Sequence, residues 1–501
     1  MNHPLICMTL TGSTLEEDMK LVKKYDKQID LVELRVDYLQ EDEQLYVKRF
    51  PALISKPCIL TIRRVIDGGK FGGSEFSRTN LFGRALAYAN PDKTRNFAFV
   101  DFEDDYNIPS MQDAAMAFGV RVIRSLHSMD APILNLKERC LKMLKTGYEI
   151  PKIAFQPNTL SDVLNLFTEG MKMTKFEHIL CAMGPIGTPS RILSGYTNSF
   201  LTYVSPAEML DNTNTIGHLD PITINDIYNF RNINENTQLF GITGWPLEKT
   251  SSPQLHNFGY KKCGINGVYI PVKSQSISEA IRFCERMNFK GLSVTVPHKE
   301  SVLYYLNEQS PEVIHIGACN TVVFKEDKLI GYNTDASGFK RALLEFLGPI
   351  KLKRQKVAVI GAGGAAKAIV YTLKQLGAKV CIFNRTVEHA AILAERYGFD
   401  YCALEANCVA KLDEYSSLII QTTSVGMNPT SENPEKCDPL HFYDFWGNEM
   451  LFDLIYTPKV TPVMKRANKA GCKTCNGYKM LEYQAYEQFK LFTGVDFEAN
   501  S

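Results

Sequence analysis

Short apolar runs recur along the first half of the chain: "LICMTL" from Leu5, "IDLVELRVD" from Ile29, "CILTIR" from Cys58, "FAFVDFE" from Phe97, "VRVIRSLH" from Val120, "KIAF" from Lys152, "HILCAM" from His178 and "FLTYV" from Phe200. Each is rich in β-branched or aromatic residues and reads as a strand. Between them lie stretches of helical periodicity such as "TLEEDMKLVKKYD" and "ILNLKERCLKMLKTG". Strands separated by helices pair in parallel through right-handed crossovers. Eight such units in about 230 residues predict a (β/α)8 barrel, a fold that typically takes about 250.

In such a barrel chemistry gathers at the C-terminal ends of the strands. In "LVELRVD" the alternation sets Val32, Leu34 and Val36 on one face and Glu33, Arg35 and Asp37 on the other. Three charges on one strand face fit a polar mouth shared with a charged substrate, because unpaired burial costs several kcal/mol each. The third strand ends in Arg63 and Arg64, the fifth ends in His127, and the sixth carries Lys152 ahead of Ile153, Ala154 and Phe155. An ammonium in apolar surroundings loses the solvation of its charged form, which makes the neutral amine available as a nucleophile toward carbonyls. Taken singly, a snorkelling lysine, a satisfied histidine and a solvated arginine pair are the commoner cases. Together at one rim they form a site.

The pattern changes near residue 235. Its strongest local feature is "KVAVIGAGGAAKAIVYTLKQLGAKVCIFNRT": an apolar strand, a turn through Gly361, Ala362, Gly363, Gly364 and Ala365, an alanine-rich helix and a second strand. A GxGxxA match inside such a βαβ unit lets backbone approach a pyrophosphate at the helix N-terminus. Where an NAD-binding chain would place Asp or Glu for the ribose diol stand Asn384, Arg385 and Thr386. A cation with hydrogen-bonding neighbours suits a 2′-phosphate, so NADP is the expected cofactor.

Composition narrows the partners. With 45% hydrophobic residues, 22% charged residues and a formal charge of +1, the chain carries no electrostatic signature for nucleic acid or membrane. Small-molecule substrates are expected, with neither nucleic acid nor membrane. At 501 residues it exceeds one hydrophobic core. The 13 cysteines sit in apolar segments, as buried thiols do in a reducing compartment. "CKTC" is the only CxxC and lacks the second pair that zinc requires, so no metal is expected. The start "MNHP" leads straight into a strand-like run without the marks of a presequence, and a cytoplasmic location is expected.

The first half resembles type I 3-dehydroquinate dehydratases, with "ELRVD", "TIRRVIDGG", "RSLH", "IPKIA" and "MGPIGTPSR" in the family's order. The resemblance implies that Lys152 forms a Schiff base with the substrate ketone and that His127 is the general acid/base. Asp67 stands where the family usually has a glutamate beside that histidine, and Glu33, Arg35, Arg63 and Arg191 match substrate contacts. The family's closing loop of the form Ser-Ala-Pro-Gly-Gln is here "GHLDPIT", residues 217–223, in which His218, Asp220 or Thr223 would have to serve.

The second half resembles shikimate dehydrogenases through "SSPQLHN", "GLSVTVPHK", "GACNTVV", "GYNTD", "GAGGAAKA", "NRT", "TTSVGM" and "NGYKMLEYQAYEQF". Lys299 and Asp335 are then the implied catalytic pair. Thr250, Ser252, Thr295, Asn320, Tyr456 and Gln484 match substrate contacts, and Leu454 and Gly477 match positions near the nicotinamide. Thr250 replaces the family's first serine in "HSxSP", and Ser293 replaces the asparagine of "NVTxPxK".

The expected architecture is therefore α/β: a barrel over residues 1–233, a substrate domain over 238–340 completed by a C-terminal helix over 478–496, and an NADP-binding Rossmann domain over 345–474. The two implied reactions are consecutive, dehydration of 3-dehydroquinate to 3-dehydroshikimate and its NADPH-dependent reduction to shikimate. The alternative keeps only a shikimate or quinate dehydrogenase active and leaves the barrel as a docking module.

Overall fold

The computed structural model describes residues 3–87, 90–210, 217–247, 250–427 and 433–498. The chain divides into two compact units, Met1–Leu239 with Asn266–Gln275 and Glu279–Met287, and Phe240–Ile265 with Ser276–Ser278 and Asn288–Ser501.

The first unit holds eight parallel strands: β1 (Leu5–Leu10), β2 (Leu31–Arg35), β3 (Cys58–Thr61), β4 (Phe99–Glu103), β5 (Arg121–Ser128), β6 (Glu149–Phe155), β7 (Ile179–Ala182) and β8 (Leu201–Val204). Their order, β7–β6–β5–β4–β3–β2–β1–β8, is that of a barrel sheet with β7 and β8 at its two ends. All eight expected strands are present. Helices between them start on ordinary signals: Thr14 caps Leu15–Lys24, and Thr159 with Asp162 forms a capping box for Leu160–Gly170, just after the strand that carries Lys152.

The strand period of two sorts the interior by height. Leu31, Ile59, Phe99, Ile123, Ile150, Ile179 and Leu201 pack one apolar cluster toward the N-terminal ends of the strands. Two residues further along β2 to β6 stand Glu33, Thr61, Asp101, Ser125 and Lys152, while Cys181 and Tyr203 on β7 and β8 stay with the apolar cluster. On five adjacent strands the interior thus changes from an apolar floor to a polar layer in one step of the pleat.

In the second unit the strands Gln238–Thr243, Phe289–Val294, Thr321–Lys325, Lys328–Tyr332 and Glu308–Gln309 lie side by side in that order. A second sheet has six parallel strands, with Asp400–Ala403, Lys379–Asn384, Lys356–Ile360, Leu418–Gln421, Met450–Asp453 and Lys473–Cys475 in spatial order. Numbered along the chain this is 3-2-1-4-5-6, the Rossmann order, which reverses beside the glycine-rich turn. The helix Tyr478–Thr493 lies on the helix Asp335–Leu347, where a side chain on Gly338 would come within 2.6 Å of the Gln484 backbone.

Among the described residues no helix is long and apolar enough to cross a membrane. None of the groupings of His, Cys, Asp and Glu among them could hold a metal ion, and all thirteen cysteines are free.

Candidate active sites

Lys152 on β6 is buried, with Nζ 3.0 Å from Asp101 Oδ2 on β4 and 3.7 Å from Glu33 Oε1 on β2. Glu33 is fixed from both sides by the hydroxyls of Thr9 and Thr61, each 3.0 Å away. The Tyr203 ring on β8 closes the far side, its centroid 4.4 Å from Nζ. The environment of Lys152 is therefore charged rather than apolar, contrary to what Ile153, Ala154 and Phe155 suggested. Those residues are its neighbours in sequence, and the strand period turns the side chains of Ile153 and Phe155 to the opposite face.

Arg63 pairs with Asp101 at 2.8 Å and Glu103 at 2.7 Å, and donates to the Ser125 hydroxyl at 3.0 Å. Glu103 also accepts from the fully buried Arg78 at 2.6 Å. Burial opposes ionisation of Asp101, but Arg63 and Lys152 overcome it and hold the carboxyl well below its usual range. Arg35 forms a two-pronged pair with Asp37 at 2.9 and 2.8 Å. Asp37 was expected to share the face of Glu33 and Arg35. Instead β2 ends at Arg35, and a tight turn over Val36–Tyr38 swings Asp37 back onto that guanidinium and onto the amides of Arg63 and Lys70.

His127, near the end of β5, lines the same pocket as Lys152, Glu33, Arg35, Arg63, Asp67, Arg191, Tyr203 and His218. Burial, then Arg63 and Lys152, push its ring well below the ordinary histidine value of 6.5, so it stands neutral. Asp67 does not hold it. The turn Val65–Asp67 ends at Gly68 in a left-handed conformation, and Gly69 passes so close to the Arg63 carbonyl that a side chain there would lie 2.2 Å from its oxygen. This geometry puts Asp67 Oδ2 2.7 Å from Arg64 Nε, while the buried His127 Nδ1 has no hydrogen-bond partner among the described residues. Asp67, which stands where the family usually has a glutamate beside the histidine, is paired here with the guanidinium three residues before it.

Sequence reading missed Asp101, Glu103 and Tyr203. The signal for the first two was present: "FAFVDFE" alternates as "LVELRVD" does, with acids on a face that a central barrel strand must bury. Tyr203 gave no local signal.

In the second unit Lys299, on the turn after Phe289–Val294, pairs with Asp335 Oδ2 at 2.5 Å. Asp335 is the first residue of a helix rather than part of a loop, a position where the backbone dipole favours a carboxylate. Asn320 donates to its other oxygen at 2.9 Å and to Thr334 at 3.0 Å, and approaches Gln484 Oε1 at 3.4 Å. Ser293 donates to Gln488 at 2.8 Å, which in turn donates to Thr321 at 2.9 Å. Sheet and C-terminal helix are thereby joined around Asp335. Thr250 Oγ1 lies 3.1 Å from Ser252 Oγ, and Tyr456 is hydrogen-bonded to Thr250. Thr295 is placed by its amide, 2.9 Å from the Thr243 carbonyl.

The dinucleotide turn abuts this cluster. A side chain on Gly364 would lie 3.4 Å from Lys299 Cβ, whereas one on Gly363 would meet nothing within 4 Å. Gly361 has φ +110 and faces Thr422 and Thr423 so closely that no other residue fits. Ala362 and Ala365 continue the turn into the helix Gly364–Gln375. Gly477 touches Leu454: a side chain there would stand 1.9 Å from the Leu454 carbonyl oxygen. Arg385 is exposed at the end of its strand, beside Asn384, whose amide donates to the Thr386 carbonyl at 2.7 Å. Open space over Gly363 and an exposed guanidinium where an acid would reject a phosphate are what a phosphorylated dinucleotide requires.

Three family models match successive parts of the chain. The type I 3-dehydroquinase family model matches residues 6–235. Those for the shikimate dehydrogenase substrate binding domain and shikimate/quinate 5-dehydrogenase match 242–322 and 343–465. The chloroplastic bifunctional 3-dehydroquinate dehydratase/shikimate dehydrogenase of Arabidopsis thaliana is 31% identical over 522 residues, covering 99% of this chain and 83% of that protein. The NADP(+) shikimate dehydrogenase of Caldanaerobacter subterraneus is 39% identical over 275 residues, 53% of this chain and 95% of its own. Among solved structures, the dehydroquinate dehydratase and shikimate dehydrogenase from S. pombe AroM aligns with a TM-score of 0.42 at 25% identity, over 99% of this chain and 97% of that one.

Proposed function

Because the chain belongs to the family of bifunctional 3-dehydroquinate dehydratase/shikimate dehydrogenases, we propose that it dehydrates 3-dehydroquinate to 3-dehydroshikimate at Lys152 and reduces that product to shikimate at Lys299 and Asp335. The observation that carries this reading is that each unit holds a lysine paired with a buried aspartate, Lys152 with Asp101 and Lys299 with Asp335.

In the barrel the Lys152 amine adds to the substrate ketone and, with loss of water, forms an imine. The protonated imine draws electrons from the adjacent C–H bond, and Asp101 and Glu33 place negative charge beside it. His127, neutral in the folded protein, takes the proton and returns it to the departing hydroxyl, which leaves as water. Hydrolysis of the imine restores the lysine. Arg191, buried in the pocket that Lys152 and His127 also line, is the guanidinium assigned to the substrate carboxylate. The docking-module alternative leaves the charge network around Lys152 without a purpose.

In the second unit Lys299 gives its proton to the carbonyl oxygen as that oxygen takes on negative charge, and Asp335 holds the ammonium in line. Thr250, Ser252, Thr295, Asn320, Tyr456 and Gln484 bind the ring substituents. Gly361 to Ala365 would receive the pyrophosphate, Asn384, Arg385 and Thr386 the 2′-phosphate, and Leu454 and Gly477 the nicotinamide. NADPH, when bound, supplies the hydride. The thirteen free cysteines fit a reducing, cytoplasmic setting.

Incubating the protein with 3-dehydroquinate and NADPH, and following 3-dehydroshikimate and shikimate separately, tests the whole reading. Both are expected, with shikimate lagging. Reduction of added 3-dehydroshikimate without turnover of 3-dehydroquinate would leave the dehydrogenase alone. Arg385→Ala is expected to raise KM for NADPH by roughly tenfold or more and to leave NADH nearly unchanged, since only NADPH carries the phosphate. Equal losses with both cofactors would make Arg385 structural.

The direction of the His127 shift gives a pH prediction. A ring held well below 6.5 remains an unprotonated base as pH falls through that value. The acid limb of dehydratase kcat, measured at saturating 3-dehydroquinate where Lys152 is held as the imine, therefore lies below pH 6.5. A limb of kcat at or above it would contradict the assigned role.

A further inference from the structure

We propose that His218 is a substrate-binding residue of the barrel site, presenting its imidazole Nε2 to the carboxylate-bearing end of the substrate beside Arg191. This deepens the dehydratase reading and rests on it.

The placement comes from β8. Its inward-facing series continues from Leu201 and Tyr203 to Ser205, one pleat beyond the strand, and there meets the returning chain. The Ser205 amide donates to the Leu219 carbonyl at 3.0 Å, and Val204 and Leu219 form a parallel bridge. Between these pinned backbone points His218 turns into the pocket that Lys152, His127 and Arg191 line. Two contacts set the ring: Nδ1 lies 2.7 Å from Ser205 Oγ, and the imidazole stacks on Tyr203 with centroids 6.3 Å apart and planes 6° from parallel. The same tyrosine ring lies against Lys152 Nζ.

What the ring offers follows from its surroundings. Burial first, then Arg191, Arg35 and Lys152, oppose its protonation, so it is a neutral imidazole with a single N–H. When the Ser205 hydroxyl donates to Nδ1, that hydrogen resides on Nε2. Among the described residues Nε2 has no hydrogen-bond partner. In that tautomer it is a donor for a substrate oxygen, in a loop that lacks the serine and glutamine of the type I pattern. The two imidazoles of the pocket divide the work: His127 is coupled to Arg63, Lys152 and Asp101, where the proton moves, while Arg191 heads the charges acting on His218.

Two substitutions separate the ring's nitrogens. Asparagine keeps a polar atom toward Ser205 but lacks the reach of Nε2; glutamine restores an amide near Nε2. His218→Asn is expected to raise KM for 3-dehydroquinate about 10- to 100-fold with kcat within about threefold. His218→Gln is expected to recover most of that loss. Borohydride reduction with saturating 3-dehydroquinate should still label Lys152 in both variants. Unchanged KM in His218→Asn, a loss in kcat alone, or an equal effect of both variants would overturn the assignment. Absence of the adduct in wild type would instead remove the Lys152 reading, so the two failures are told apart.

Discussion

Replacing Lys152 with alanine is expected to remove 3-dehydroquinate dehydration, a loss on the order of 10⁴-fold or more for a covalent nucleophile. Reduction of 3-dehydroshikimate by NADPH stays close to wild type, because Lys299 and Asp335 belong to a different compact unit. The variant folds for a reason visible in the barrel. Asp101 retains Arg63 at 2.8 Å and Ser125 at 2.5 Å, so removal of the ammonium does not strand a buried carboxylate. The chemical check is direct. Borohydride added to wild-type enzyme with 3-dehydroquinate reduces the imine to a stable amine, and the peptide containing Lys152 gains the mass of the ligand. Active enzyme that yields no adduct, or an alanine variant that still dehydrates, would assign the nucleophile elsewhere.

The barrel was legible because its code is local. A strand of alternating faces announces what it buries, and the eight runs correspond to eight strands. Glu33, Arg35, Arg63, His127 and Lys152 could be found since each stands on or just past such a run. What the chain does not announce is pairing across the barrel. Lys152 and Asp101 are 51 positions apart. Nothing near "KIAF" says that an acid on another strand will face the ammonium at the same height. The same limit explains Asp67, whose carboxylate goes to Arg64 because of a one-turn backbone geometry that ends at Gly68. In the second unit the dinucleotide turn was legible, as it combines backbone demands with a strand and a helix in sequence. The shell behind Asp335 was not. Asn320 and Gln484 approach one another at 3.4 Å across 164 positions, brought together by a helix that returns from the far end of the chain.

That shell is why Lys299 and Asp335 are expected to behave as one working unit. Lys299→Met keeps the length of the stem and deletes the proton carrier. A lost acid/base group costs roughly 10²–10⁴-fold in kcat, with a smaller change in substrate binding. Asp335→Asn keeps the shape and removes the charge that aligns the ammonium. Its loss should approach that of Lys299→Met, since the 2.5 Å pair is the lysine's one ion-pair contact among the described residues. The double variant then loses far less than the product of the two single losses, because with either partner gone the other has little left to contribute. Retained NADPH binding, a property of the same unit, shows that each variant still folds there. Shikimate oxidation by Lys299→Met within about threefold of wild type would rule out proton transfer by that residue, since it misses even the ~10²-fold floor. Single losses that multiply in the double variant would mean that lysine and aspartate act independently, and the pair could no longer be the catalytic unit.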